Sequence, residues 1–185
     1  MHPWKLSQLT HDLEHGGVIA YPTETLWGLG CLPNNNQALL KLARIKQRSL
    51  KKGFILISPN IKLCLPYIHP KYHALAKQKI TLNLKQPTTW LIPKAPSTST
   101  LLSGAFDSIA IRISPHPFIH EACIKLGSPL TSSSVNINKR PSLNSDLLIQ
   151  RQFGHSLSHI IHGYRSGSGQ ASTIIDCLSN QTIRN

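Results

Sequence analysis

The chain opens with apolar residues at helical spacing. Leu6, Leu9 and Leu13 recur at intervals of three and four positions and stop before Gly16, which predicts a helix ended by a left-handed glycine cap. The apolar run from Val18 to Tyr21 follows directly and is typical of a strand. The chain therefore begins with a predicted helix and strand.

Further along, short apolar runs bounded by proline, glycine or acidic residues alternate with segments of helical spacing. The runs predict strands at residues 54–58, 88–92, 109–113, 130–133, 159–162 and 172–176. The helical segments are 36–44, 117–126 and 142–151, with short helices around 71–79 in the ambiguous stretch 61–85. Asn36 is the predicted N-cap of the first of these helices. This alternation favours an α/β layer structure.

Length and hydropathy place limits on the class of protein. A chain of 185 residues is typical of one domain, so residues 1–185 are expected to form a single folded unit. No apolar run approaches the roughly 20 residues that a membrane span needs. The N-terminal sequence lacks the apolar stretch of a signal peptide, which predicts a cytoplasmic protein without membrane association.

The charge balance is strongly basic, because 20 lysines and arginines face only seven acidic residues and give a formal net charge of +13. Such a field attracts phosphate-rich partners. A nucleotide, a tRNA or both would fit, although a basic surface that only aids solubility remains the alternative for most individual lysines. The four cysteines are widely spaced and match no zinc or redox pattern, so they are interpreted as buried thiols.

The segment Tyr21-Pro22-Thr23-Glu24-Thr25-Leu26-Trp27-Gly28-Leu29-Gly30 concentrates the first candidate chemistry. It leaves a strand through a proline and presents two hydroxyls around one carboxylate. It is then expected to turn on its two glycines, where the backbone can approach a ligand closely.

Two further segments carry polar groups at the ends of predicted elements. Lys46 and Arg48 follow a helix, and alternating cations in an extended segment would point the same way and contact phosphate oxygens. The segment 132–136, Ser-Ser-Ser-Val-Asn, places hydroxyls and an amide at the carboxyl end of a strand, where open α/β sheets bind ligands. No Gly-x-Ser-x-Gly motif surrounds these serines, so none is interpreted as an acyl-transfer nucleophile.

In combination these motifs resemble the YrdC/TsaC family of threonylcarbamoyl-AMP synthases. The resemblance rests on the order YPTETLWGLG, KQR, FILIS, SIAIRISPHP, PLTSSSVN and ASTIID, and it extends from about Gly17 to the C-terminus. It implies an α/β fold: a single-domain, open, twisted mixed sheet with flanking helices and a basic concave pocket.

The resemblance also implies roles for particular residues. The predicted threonine-binding residues are Thr23, Arg112 and Ser172. The predicted nucleotide-binding residues are Lys46, Arg48, Ser134, Asn136 and Arg184. Lys46 and Arg48 are in addition the predicted catalytic residues, acting on the ATP phosphates.

The implied reaction joins L-threonine, bicarbonate and ATP into threonylcarbamoyl-adenylate, with release of pyrophosphate. Mg²⁺ is expected to be bound mainly through the ATP phosphates, with no residue assigned as a metal ligand and Glu24 as the candidate for an indirect contact. A tRNA-modifying transferase complex is the expected recipient of the product, and direct tRNA binding is left open. Two loops depart from the family pattern, at Gln86-Pro87 and at Asn138-Lys139.

Three alternatives compete with this interpretation. A non-catalytic RNA-binding module fits the charge, but only 6% of the residues are aromatic and no stacking platform is visible. A related carbamoyl-transfer activity would fit the same fold. A zinc pair at His116 and His120 is disfavoured because Pro117 stands between them, and a capping or surface role is expected instead.

Overall fold

The computed structural model describes residues 1–82, 86–137, 140–163 and 169–184. In these ranges nine strands form one mixed sheet: β1 (Ile19–Tyr21), β2 (Gly28–Gly30), β3 (Ile55–Ser58), β4 (Thr88–Pro93), β5 (Ser108–Ile113), β6 (Leu130–Ser134), β7 (His159–Ile160), β8 (Thr173–Asp176) and β9 (Thr182–Arg184). Their spatial order is β7-β1-β2-β6-β3-β5-β4-β8-β9, which leaves β7 and β9 as edges. The pairs β1/β7, β3/β5 and β4/β8 are parallel and the other neighbours are antiparallel. The predicted open mixed sheet is confirmed.

The α-helices in the same ranges are α1 (Pro3–Glu14), α2 (Asn36–Ile45), α3 (His73–Ile80), α4 (Thr100–Ser103), α5 (Pro117–Leu126) and α6 (Asp146–Phe153). Helix α1 ends before Gly16 at φ 87°, as predicted. The N-cap of α2 is Asn35 rather than Asn36, since the Asn35 side chain accepts the Ala38 N–H at 3.0 Å. His116 caps α5, which confirms the capping role expected for it.

Other predicted elements also differ from the structure; strand β7, for example, ends at Ile160 and not at residue 162. Helix α6 begins at Asp146 with Ser145 as its N-cap, not at Ser142. The two glycines of the YPTET segment do not form a turn, because Gly28–Gly30 is strand β2, paired antiparallel with β1. A Cβ on Gly28 would lie 3.0 Å from the Tyr21 ring, and one on Gly30 would lie 2.1 Å from the Thr131 carbonyl oxygen. These glycines therefore allow close packing inside the sheet.

Apolar side chains on both faces of the sheet form two cores. One face packs against α1 and α5 through residues such as Leu13, Ile57 and Phe118. The other face packs against α2, α4 and α6 through residues such as Leu42 and Leu102. Burial on both faces explains why most strands are apolar runs without clear alternation.

All four cysteines are buried and free, as the sequence indicates. Burial raises the pKa of Cys31, Cys64 and Cys123 to about 12, which suppresses thiolate formation. In the described ranges, no helix combines the length and the apolar character needed to cross a bilayer.

One cross-strand row connects the core to the opposite end of the sheet. Ile57 of β3 pairs with Arg112 of β5, Arg112 with Thr89 of β4, Thr89 with Ile174 of β8, and Ile174 with Arg184 of β9. Directly paired residues project from the same face of a sheet. The face that α1 and α5 cover near Ile57 therefore continues toward β9 and carries Arg112 on β5 and Arg184 on β9.

Candidate active site

A cavity of about 330 Å³ lies on the part of this sheet face that carries Arg112 and Arg184. Five of the eight predicted site residues line it: Arg48, Arg112, Ser134, Ser172 and Arg184. The remaining three, Thr23, Lys46 and Asn136, are not among the residues that line it. The fold thus brings together residues from α2's C-terminal turn, β5, β6 and the β8–β9 hairpin.

Three guanidinium groups define the electrostatics of the cavity. Burial, and then the charge of Arg184, lower the pKa of Arg48. Burial, and then the charge of Arg112, lower the pKa of Arg184 in the same way. Arginine stays protonated despite such shifts, so the cavity concentrates positive charge that repels itself. An anionic ligand would relieve that repulsion.

Arg112 is held by two residues of the YPTET segment. Its Nη1 donates to Thr25 Oγ1 at 2.8 Å, and its Nε lies 3.5 Å from Glu24 Oε1. Ser114 donates to the other carboxylate oxygen at 2.5 Å. Among the described residues, Arg112 Nε and Nη2 and Glu24 Oε1 are buried atoms without a hydrogen-bond partner, although Nε and Oε1 are close enough to form an ion pair. Unpaired buried groups are costly, which is typical of a site that is completed by a ligand.

Arg48 lies on the opposite wall and is positioned by the end of α2. The backbone at this point is not extended, so the prediction that Lys46 and Arg48 point the same way from an extended segment is wrong. Gln47 has φ 47°, its N–H donates to Arg44 O at 3.0 Å, and the Arg48 N–H donates to Ala43 O at 2.9 Å. These bonds form a Schellman turn, in which a left-handed residue reverses the chain after a helix. Lys46 and Arg48 consequently have different surroundings.

Arg48 itself borders the cavity. Its Nη2 donates to Gly53 O at 3.0 Å, its guanidinium lies 5.8 Å from the Phe54 ring centroid, and its Nε has no acceptor. The Gly53 loop is fixed by a second loop: φ is 58° at Gly53 and 68° at Gly104, and a Cβ on Gly104 would lie 2.5 Å from the Gly53 nitrogen. Two backbone segments thus touch at this wall with no room for side chains.

Lys46 is only 2% exposed and contacts the end of β6. Its Nζ donates to the Ser134 carbonyl, to Asn136 O at 3.0 Å and to Asn136 Oδ1 at 2.9 Å. Burial, and then the charge of Arg48, lower the pKa of Lys46 to about 7. Asn136 also accepts the Ser134 hydroxyl at 2.8 Å and donates to Arg140 O at 2.6 Å. The side chains of Lys46 and Asn136 therefore bind each other and the loop.

Ser172 and Arg184 meet at the far end of the cavity. Arg184 Nη2 donates to Ser172 O at 2.8 Å, and the Ser172 and Thr89 hydroxyls are 2.7 Å apart. The structure thus brings Arg112, Ser172 and Arg184 to one cavity, a convergence that the sequence could not establish. It does so because β9 folds back along β8.

The YPTET segment presents Thr25 to the cavity rather than Thr23. Thr23 is 1% exposed and donates to Leu26 O at 2.7 Å, while the Thr25 N–H donates to Thr23 Oγ1 at 3.1 Å. Thr23 therefore shapes the turn that presents Thr25. Sequence reasoning missed Thr25, although it is the second hydroxyl of the same motif.

The cavity also has an apolar wall that the sequence did not identify. Phe54 and Leu91 line it, together with Phe106 and Ile183, which are 55% and 58% exposed. Large exposed apolar side chains at a cavity mouth are typical of ligand contact. A cationic wall facing an apolar one suits an anion that carries an aromatic ring.

Carboxylates are scarce near this cavity. In the described ranges no three His, Cys, Asp or Glu side chains lie close enough together to hold a metal ion. The departures at Asn138-Lys139 fall outside the described residues.

Comparison with known proteins gives the same family as the motifs. The family model Sua5/YciO/YrdC, described as "Telomere recombination", matches residues 11–185. A Photobacterium profundum protein named threonylcarbamoyl-AMP synthase is 41% identical over 180 residues, covering 97% of both chains. A Vibrio parahaemolyticus protein of the same name is 38% identical over 179 residues, covering 96% of both.

A solved structure shares the fold. P. abyssi Sua5 complexed with L-threonine superposes with a TM-score of 0.83 at 23% identity, over 95% of this chain and 52% of that one. This chain thus spans about half the length of that protein. The predicted resemblance is confirmed, and the chain belongs to the Sua5/YciO/YrdC family.

Proposed function

We propose that this protein is a threonylcarbamoyl-AMP synthase, which forms L-threonylcarbamoyladenylate and pyrophosphate from L-threonine, bicarbonate and ATP. The observation that carries the proposal is the convergence of Arg48, Arg112 and Arg184 on one cavity of about 330 Å³. The name shared by relatives that are 38–41% identical over nearly the full chain supports the same activity.

Threonine would occupy the end of the cavity near β5 and β8. Arg112, steadied by Glu24 and Thr25, would bind its carboxylate, and Ser172 would complete the site as a hydroxyl partner. The complex of P. abyssi Sua5 with L-threonine supports this substrate. Thr23 contributes by fixing the turn that presents Thr25.

ATP would lie with its phosphates between Arg48, Arg184 and Ser134 and with its base against the apolar wall of Phe106 and Ile183. Guanidinium groups suit phosphate oxygens because they offer several donors in one plane. Asn136 and Lys46 support this end of the site from behind Ser134.

The chemistry needs no protein nucleophile. The threonine amine attacks carbon dioxide derived from bicarbonate, forms a C–N bond and loses a proton to give a carbamate. A carbamate oxygen then attacks the α-phosphorus, and the P–O bond to pyrophosphate breaks with its electron pair leaving on pyrophosphate. Holding the reactants in place can be worth about 7–11 kcal/mol. The arginines stabilise the negative charge that accumulates.

Mg²⁺ fits this arrangement. It commonly takes one or two carboxylates, waters and substrate phosphates, and Glu24 is a largely buried carboxylate whose Oε1 accepts no hydrogen bond from the described residues. Glu24 would therefore contact the ion or its waters. When bound, Mg²⁺ would neutralise phosphate charge.

The product is a labile adenylate, so a tRNA-modifying transferase complex is the proposed recipient. The net charge of +13 favours contact with the phosphates of a tRNA. We place the protein, as one domain, in the cytoplasm with this machinery.

The decisive experiment measures pyrophosphate release from ATP with Mg²⁺ and bicarbonate, with and without L-threonine, and with L-serine as comparison. Threonine-dependent release of pyrophosphate is expected. A folded protein that binds RNA tightly but releases no pyrophosphate would instead be the RNA-binding module. Release that ignores threonine but follows another carbamoyl acceptor would indicate a related carbamoyl-transfer activity.

A further inference from the structure

The ammonium group of Lys46 has as many acceptors as it has N–H bonds. Its Nζ donates to two backbone carbonyls and one side-chain carbonyl, of Ser134 and Asn136. An ammonium offers three donors and no lone pair, so these contacts use its full capacity. Lys46 is 2% exposed and is not among the residues that line the cavity, so it has no donor left for a phosphate.

These contacts join the end of α2 to the end of β6, and both segments carry residues that line the cavity. Lys46 is the C-cap of α2, one residue before the left-handed Gln47 that turns Arg48 toward the cavity. Ser134 and Asn136 lie at the end of β6, and Ser134 lines the cavity. Lys46 therefore links the turn that carries Arg48 to the end of β6, which strands β2 and β3 hold from the other side.

We propose that Lys46 is a positioning residue, which holds the 134–136 loop against the Schellman turn of α2 and does not bind the ATP phosphates directly. Loss of the Lys46 proton releases this loop. The kinetic consequences rest on the function proposed above, whereas the structural consequences do not.

The release follows from the number of donors. A neutral amine has two N–H bonds and a lone pair, so one of the three carbonyl oxygens would lose its donor and face that lone pair. Arg48 is the charged side chain that shifts this equilibrium, and the three acceptors are uncharged. Because the pKa of Lys46 is lowered to about 7, the protonated side chain holds the loop at pH values below 7, and the loop loosens at pH values above 7. Bound polyphosphate would raise that pKa and keep the loop in place.

Hydrogen exchange of the free protein tests the structural part without any assay of activity. The amides of Val135, Asn136 and Leu143 donate to backbone carbonyls and report on the loop. Lys46→Met keeps a side chain of similar length without donors and should lower their protection factors at pH 6 by about tenfold or more. Lys41→Met, at an exposed position of α2, is the matched control and should change nothing. Unchanged protection in Lys46→Met overturns the proposal.

A second variant keeps the test decisive if Lys46→Met does not fold. In the unsubstituted protein the protection factors of these amides, corrected for intrinsic exchange, should fall as pH rises through about 7. Lys46→Arg stays charged and should remove this fall. An equal fall in Lys46→Arg would show that another group titrates, and the proposal would be wrong.

Binding and kinetics separate positioning from direct phosphate contact. In the unsubstituted protein kcat/KM should fall above neutral pH, and this fall should disappear in Lys46→Arg. The corresponding fall of kcat in the unsubstituted protein at saturating ATP should occur at higher pH, because bound ATP keeps Lys46 protonated. Asn136→Ala combined with Lys46→Met should cost no more than Lys46→Met alone, because both act through one loop. Additive losses, with tripolyphosphate affinity lost in Lys46→Met, would identify a direct ligand. Altered exchange without synthase activity would refute only the proposed function.

Discussion

The two halves of the sheet face that carries the cavity differ in their contacts. Around β1, β6 and β3, helices α1 and α5 bury Ile57 among apolar side chains, and its exposed fraction is zero. Its direct neighbour in the sheet, Arg112, lies on the same face but lines the cavity, and its Nε and Nη2 make no hydrogen bond within the described part of the chain. The side chains of the first half pack against the chain itself, whereas those of the second half leave buried polar atoms without hydrogen bonds in the described residues. Substitutions in the two halves should therefore affect different measurements.

The largest effect is expected for Arg112→Lys. Lysine keeps a positive charge beside Glu24, so the free energy of unfolding should change little, but it loses the planar fork of donors. We expect kcat/KM for threonine to fall by a factor of about 10²–10³, or roughly 3–4 kcal/mol. Steady-state kinetics and urea denaturation on the same sample would check both parts. An unfolding midpoint that falls as much as activity does would contradict the contrast between the halves.

Ile57→Ala should give the opposite result. Removing a fully buried side chain beneath α5 should lower the free energy of unfolding by about 2–4 kcal/mol. At a temperature where the variant is folded, its KM for threonine should be nearly unchanged. Chemical denaturation with a matched kinetic assay measures this, and a raised KM with normal stability would show that the halves are coupled.

Gly104→Ala tests the wall where two loops touch. Alanine at φ 68° is strained, and its Cβ would displace the Gly53 backbone, whose carbonyl accepts from Arg48. We expect a loss of about 1–3 kcal/mol of stability and an increased KM for ATP. Gly127→Ala, also at positive φ but with open space around its Cβ, is the control that isolates backbone strain. If both variants raised the KM for ATP equally, the contact between the Gly53 and Gly104 loops would have no part in nucleotide binding.

The smallest effect is expected for Phe106→Ala. The side chain is 55% exposed, so stability should be almost unchanged, while a nucleotide base would lose an aromatic contact worth about 1 kcal/mol. The KM for ATP should rise several-fold and that for threonine should not. Leu178→Ala, similarly exposed and not part of the cavity wall, is the control. An equal rise for both substrates would place the base elsewhere.

The sequence predicted the elements better than their exact bounds. Apolar runs marked most strands because both faces of the sheet are buried, but β2 was taken for a turn. Its glycines are explained by the Tyr21 ring and by the Thr131 carbonyl, a contact across more than 100 residues that no local pattern contains. The choice between Asn35 and Asn36 as N-cap likewise depends on tertiary position, since both are suitable residues.

For the site, motifs predicted residue types more reliably than the direction of side chains. The Lys-x-Arg spacing suggested two cationic side chains that point the same way. The left-handed conformation of Gln47 instead directs Arg48 to the cavity and leaves Lys46 outside its lining. The apolar wall was missed because Phe106 and Ile183 belong to no motif and meet only through the sheet order. The roles of the predicted residues in binding threonine, ATP and Mg²⁺ stay predictions.

The order of strands has a consequence for the time course of folding. Strand β2 pairs with β6 and β1 pairs with β7, so these two early strands wait for partners synthesised more than 100 residues later. Domains with many such distant pairings fold slowly, typically in milliseconds to seconds. Until β6 is inserted, the β1–β2 hairpin and the β3–β5 pair would exist as separate pieces with unpaired edges. Such edges invite association with other chains, so refolding yield should depend strongly on protein concentration.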